Sequence, residues 1–158
     1  MVGSDIVDAE RALERLFRLT VNRRLHERQA AVIGTDVTRA GYAVLRCLHE
    51  AGALSLGELA RLCSMDPAAA GRQVRKLQDD DLIERSAGTD DARMIVVRLA
   101  PRGAEVYRRI AAMRTAHMGD VLAAWSGADR TALVRLVGRL VDDLETTPFR
   151  PSDIEEPR

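Results

Sequence analysis

Between Asp66 and Leu77 the chain places Arg72, Arg75 and Lys76 close together, with the small residues Ala68, Ala69 and Gly71 beside them. Ala70, Val74 and Leu77 recur at the spacing of one buried helix face, which leaves the cations and the small residues on the other. An arginine fork matches guanine O6 and N7 or a phosphate, and a methyl-sized side chain can meet a thymine methyl. A glycine lets another backbone come close. A solvated helix face that happens to be basic would contain the same residues, and the spacing alone does not choose. Arg93 is a second candidate, with Asp91 two residues before it. On a strand these two point to the same side, so the carboxylate can hold the guanidinium ready for a narrow, electronegative groove; an ordinary turn ion pair is the alternative.

Other chemistry is harder to find. There is no glycine-rich phosphate loop, no nucleophile elbow and no metal-ligand spacing, so no catalytic residue, metal or cofactor is expected. His26, His49 and His117 are far apart. Cys47 and Cys63 lie in apolar helical patterns without a CxxC spacing or an evident cationic neighbourhood, and read as buried free thiols that do not act as a switch, with a redox sensor or metal site as the alternative.

The candidate residues need elements to position them. Ile6, Ala9, Leu13, Leu16, Phe17, Val21 and Leu25 predict an amphipathic first helix of roughly 25 residues. Thr38 is placed to cap a second helix that Gly52 ends. Ser55, with Glu58 three residues on, opens a short third helix as a capping box. Asp66 and Pro67 are a cap and a first helical residue for the fourth, the one with the cations. Two short helices joined by a tight Cys63-Ser64-Met65 turn make a helix-turn-helix pattern. Thr38 and Ser55, at helix starts, could offer hydroxyl and N–H groups to phosphate, or could serve only as caps.

Next the period changes. Leu82–Arg85 and Met94–Leu99 read as strands around a polar tip, a wing. A long fifth helix opens at Pro101 and Gly103 and closes at Trp125, and Ser126 with Asp129 starts a last helix. The apolar stripes of the end helices exceed what a small head can cover, which predicts a homodimer. The 158 residues suit one domain, and no apolar run is long enough to span a membrane. The N-terminus lacks the basic and apolar regions of a signal peptide, so the expected location is the cytoplasm. Net charge is zero, but the basic charge is almost all arginine, and Asp142, Asp143, Glu145, Asp153, Glu155 and Glu156 gather at the far end.

The middle of the chain resembles the MarR (multiple-antibiotic-resistance regulator) family. Val37-Thr38-Arg39-Ala40-Gly41-Tyr42-Ala43-Val44-Leu45 resembles that family's second-helix opening, and Leu54-Ser55-Leu56-Gly57-Glu58-Leu59-Ala60 its third. Asp91-x-Arg93-x-x-x-Val97-x-Leu99-Ala100-Pro101-x-Gly103 is similar to its wing and the exit into the fifth helix. The chain departs from the pattern at Asp81, where the family often has Gly, and at Ala100, where it often has Thr.

The resemblance implies a mostly α fold with a small β-hairpin wing. A winged helix-turn-helix head would span about 37–101, dimerisation helices about 5–30 and 102–145, and a tail 146–158. It implies a transcription regulator, by family default a repressor, that binds double-stranded DNA at an inverted repeat. The contacts it implies fall on Thr38, Ser55, Ala68, Ala69, Gly71, Arg72, Arg75, Lys76, Asp91 and Arg93. Many members bind small aromatic anions between head and dimer helices, which makes Tyr42, Arg46, Met113 and His117 candidates; core and interface packing accounts for the same four. A dimeric interaction module that has lost DNA binding is the rival reading. The Asp79-Asp80-Asp81 run favours it, and the cations at contact positions oppose it.

Overall fold

The computed structural model describes residues 3–20, 34, 36–87 and 95–148. Among them the order is α1 (Ser4–Thr20), α2 (Arg39–Ala51), β1 (Leu54–Ser55), α3 (Leu56–Leu62), α4 (Pro67–Asp79), β2 (Ile83–Ala87), β3 (Ile95–Leu99), α5 (Pro101–Val121) and α6 (Gly127–Thr146). The expected mostly α architecture with a small wing is present. Val21 and Leu25 of the expected longer first helix, and the end of the tail, lie outside the described residues.

Local signals set the helix ends. Thr38 Oγ1 accepts from the Gly41 N–H at 3.0 Å, and Asp66 Oδ1 from the Ala69 N–H at 2.8 Å. Gly52 ends α2 at φ 79°, a conformation glycine adopts without steric cost, and its N–H donates to the Leu48 carbonyl at 3.0 Å. Ser126 caps α6, its hydroxyl accepting from the Asp129 N–H at 3.1 Å. The fifth helix stops at Val121 and a turn carries the chain to Trp125, four residues short of the expected end.

The sheet has the order β1-β3-β2, all antiparallel. β1 was not anticipated. Leu54 and Ser55 pair with Val97 and Val96, so the residue that caps α3 also closes the sheet. The first wing strand is shifted from the sequence reading, and Met94, expected to open the second, lies outside the described residues. Ser86 and Ala87 belong to β2 because Val96 and Ile95 lie opposite them, whereas Leu82 precedes the strand as a junction.

Leu82 is fully buried and serves three elements at once. Its N–H donates to the Leu77 carbonyl at 2.8 Å, closing α4, and its carbonyl accepts from the Ala100 N–H at 3.1 Å, ahead of α5. Asp81 makes the preceding bend at φ 57°, the left-handed conformation in which a short polar side chain costs least after glycine. Gly103, in the first turn of α5, lies against the same Leu82 backbone.

Val44, Leu45, Leu59, Val74, Leu77 and Leu82 are the most buried part of the core, joined by Ile83, Val97, Val106 and Ile110. The head is therefore α2, α3, α4, the sheet and the first half of α5 around one apolar centre. The chain divides into two compact units, residues 1–113 and 114–158. In the second, α6 has no buried residue, and Val134, Leu136, Val137, Val141 and Leu144 are exposed. An open hollow of about 540 Å³ lies there against Ala124, Trp125, Ala132, Leu133 and Leu136. In the first unit α1 likewise exposes Ile6, Leu16, Phe17 and Leu19.

Candidate nucleic-acid interface

The interface is built on α4. Pro67 at its first position and the Asp66 cap satisfy the opening turn, which fixes how the helix leaves α3. Ser64 makes the turn between the two helices at φ 51°, and the Met65 N–H donates back to the Ala60 carbonyl at 2.9 Å. Ala70, Val74 and Leu77 bury one face of α4 against α2, α3 and β2. Ala68, Arg72, Arg75 and Lys76 are exposed, and Ala69 and Gly71 are half-buried. The six helix residues named from the sequence thus share the outward side of one capped helix.

The cations on that side differ. Lys76 is held by Asp36: its Nζ donates to the Asp36 carbonyl at 3.2 Å and stands 3.6 Å from the carboxylate. Arg72 and Arg75 form no ion pair with any described residue, so their guanidinium donors face solvent. Two unneutralised arginines next to two small residues form a surface that can meet an anionic groove closely.

Thr38 and Ser55 are placed as caps. Thr38 also donates to Gln73 Oε1 at 3.2 Å, tying the start of α2 to the middle of α4; the sequence reading did not single out Gln73. Ser55 forms the full capping box: its N–H and hydroxyl donate to Glu58 Oε2 at 2.8 and 2.7 Å. These bonds hold the Glu58 carboxyl below the ordinary glutamate range, the Ser55 hydroxyl first and its backbone N–H second. A phosphate contact by Ser55 would compete with that carboxylate for the same two donors. Asp91 and Arg93 lie outside the described residues. The strands below them are fixed in register, with Glu84 opposite Arg98 and the pair joined at 2.9 Å.

A family profile for the MarR family matches residues 37–95. The chain is 30% identical to the HTH-type transcriptional repressor Rv2887 of Mycobacterium tuberculosis over 117 residues, covering 74% of this chain and 84% of the relative. The chain belongs to the MarR family of transcription regulators. Its fold is that of solved members. The MarR family transcription regulator SP03579 superposes with a TM-score of 0.77 at 24% identity, over 92% of this chain and 95% of that one. BpsR of Bordetella bronchiseptica, whose DNA binding is regulated by 6-hydroxynicotinic acid, superposes with a TM-score of 0.59 at 24% identity, over 76% and 89%. As a member of this family the chain is a DNA-binding regulator.

The residues named for a small ligand fall in both units. Tyr42, Arg46 and Met113 are in the first unit, where Tyr42 and Met113 are half-buried against the core and Arg46 is exposed; His117 is in the second. The structure adds Tyr107 and His49, which the sequence reading missed. Tyr107 stacks on Tyr42 with ring centroids 5.7 Å apart, and His49 lies 4.4 Å from Tyr107. Loss of hydration, and then the nearby Tyr42 and Glu50, raise the Tyr107 hydroxyl above the ordinary phenol range, so it stays a neutral donor.

Gly71 separates fold from contact. A Cβ there would meet only Leu56 Cδ2, at 3.9 Å, so the fold has room for it. Gly71→Ala should raise stability by about 0.5–1 kcal/mol, as expected for filling a helix interior glycine. If DNA needs the bare backbone, operator affinity should fall in the same variant. Thermal unfolding and a DNA titration check both signs, and unchanged affinity would remove Gly71 from the interface.

Proposed function

We propose that the chain is a repressor that binds an inverted-repeat operator as a homodimer in the cytoplasm. In this reading α4 of each protomer lies in a major groove and the wing, with Arg93 held by Asp91, enters the minor groove beside it. Arg72 takes the base-reading role, Arg75 the phosphate backbone, and Ala68, Ala69 and Gly71 the close approach. Lys76 reaches phosphate on release from Asp36, and Thr38 and Ser55 contribute at the helix starts to whatever extent their caps leave them available. The observation that carries this is the pair of arginines, without an ion pair among the described residues, beside small residues on the outward side of α4.

The dimer reading is supported by the apolar side chains at both ends of the described chain, on α1 and on α6, which are exposed in one protomer. Deleting residues 1–30 should give monomeric or aggregated protein with little DNA affinity, read by light scattering and titration. A well-behaved, fully active monomer would refute it. Selection from a random DNA pool tests the operator: the retained sites should be inverted repeats with half-site centres about 34–36 Å apart. Direct repeats or single half-sites would remove the two-fold docking.

A small aromatic anion as the releasing ligand is supported by the stacked Tyr42 and Tyr107 with His49 and Arg46 close by in the chain's first unit. The aromatic acid that regulates BpsR is the same chemical class. Met113 and His117 complete the candidate set. Titrating benzoate- and pyridine-type acids against the protein–DNA complex checks this, with Tyr107→Ala expected to raise the concentration needed for release.

A further inference from the structure

We propose that Cys47 and Cys63 are a modification site: an intrachain disulfide that fastens α2 to the turn of the helix-turn-helix. The two sulfurs are 3.1 Å apart, although sixteen positions separate the residues in the chain. A disulfide needs an S–S distance of about 2.05 Å, so closure requires an approach of only about 1 Å. Cys47 is buried on the inner side of α2. Cys63 is half-buried and follows the last residue of α3 as its C-cap. Cys63 is therefore the more accessible residue of the two, with Cys47 in contact with it.

A low-molecular-weight disulfide is the oxidant class that fits. The Cys63 sulfur, as thiolate, attacks one sulfur of the reagent, breaking its S–S bond and releasing one thiol. Cys47 then attacks Cys63 in the mixed disulfide and releases the second. Two protein thiols lose two electrons and two protons, and one external disulfide becomes two thiols. Burial, and then the adjacent Cys47, push the Cys63 thiol up to about 12. Both effects disfavour the thiolate, so the exchange is slow.

Closure joins α2 to the residue three positions before the Asp66 cap of α4. The test uses the full chain, equilibrated with excess oxidised glutathione and then alkylated under denaturing conditions for mass spectrometry. The expected product is a single chain that has lost two hydrogen atoms, takes up no alkylating label, unfolds at a higher temperature and returns to two free thiols with dithiothreitol. Cys63→Ser and Cys47→Ala should each abolish that product. A stable glutathione adduct, a cross-linked pair of chains, or two labelled thiols after oxidation would each overturn the proposal. So would a disulfide that leaves the unfolding temperature unchanged.

Discussion

Gly103→Ala is expected to lower the unfolding midpoint by roughly 10 °C or more, from a loss on the order of 3 kcal/mol. The added Cβ would overlap the Leu82 carbonyl oxygen and stand 2.8 Å from the carbonyl carbon. The three nearest atoms are all Leu82 backbone, so the overlap cannot be relieved by rotating a side chain. The Leu82 oxygen is also the acceptor for the Ala100 N–H, so moving it breaks a bond that joins the sheet region to α5. Circular dichroism against temperature gives the midpoint. A midpoint within a degree or two of the parent would show that the head repacks around the methyl. Gly71→Ala is the internal control, because it adds the same methyl where there is space.

Arg72→Ala should cost on the order of 1–3 kcal/mol of operator affinity and relax preference at one position in each half-site. It should leave stability unchanged, since Arg72 is exposed and pairs with no described residue. Affinity for scrambled DNA should fall less than affinity for the operator. Arg93→Ala should behave differently, weakening both more evenly and making the salt dependence shallower, because groove shape and phosphate charge do not spell a base. Asp91→Ala should reproduce part of that loss. Titrations at several salt concentrations separate these cases. Equal losses on both DNAs for Arg72→Ala would place that side chain on the backbone instead of a base.

What the sequence disclosed follows the range over which each signal acts. The caps at Thr38, Ser55, Asp66 and Ser126 were legible because a cap and its N–H donor are three residues apart. The outward face of α4 was legible because its period is local. β1 was not, because its partners are Val96 and Val97, some forty positions away, and two residues carry no period of their own. The Cys47–Cys63 contact and the Tyr42–Tyr107 stack depend on which faces of two helices meet, which spacing within either helix does not contain. Lys76 was grouped with Arg72 and Arg75 as a DNA contact, and its attachment to Asp36 came only with the fold.

The junction at Leu82 bears on how a signal can travel. One residue accepts from the start of α5 and donates to the end of α4. Gly103 presses against it with no gap, and Asp81 bends the chain into place beside it. A link of two short hydrogen bonds and one steric stop transmits rotation but absorbs little. The first turn of α5 and the last turn of α4 therefore behave as one stiff lever arm, with few soft degrees of freedom between them. A displacement entering along the first turn of α5 is expected to re-aim α4 as a whole and leave its shape intact. In the proposed two-fold assembly such a lever would change the separation of the two α4 helices, and the proposed DNA repeat would measure that separation.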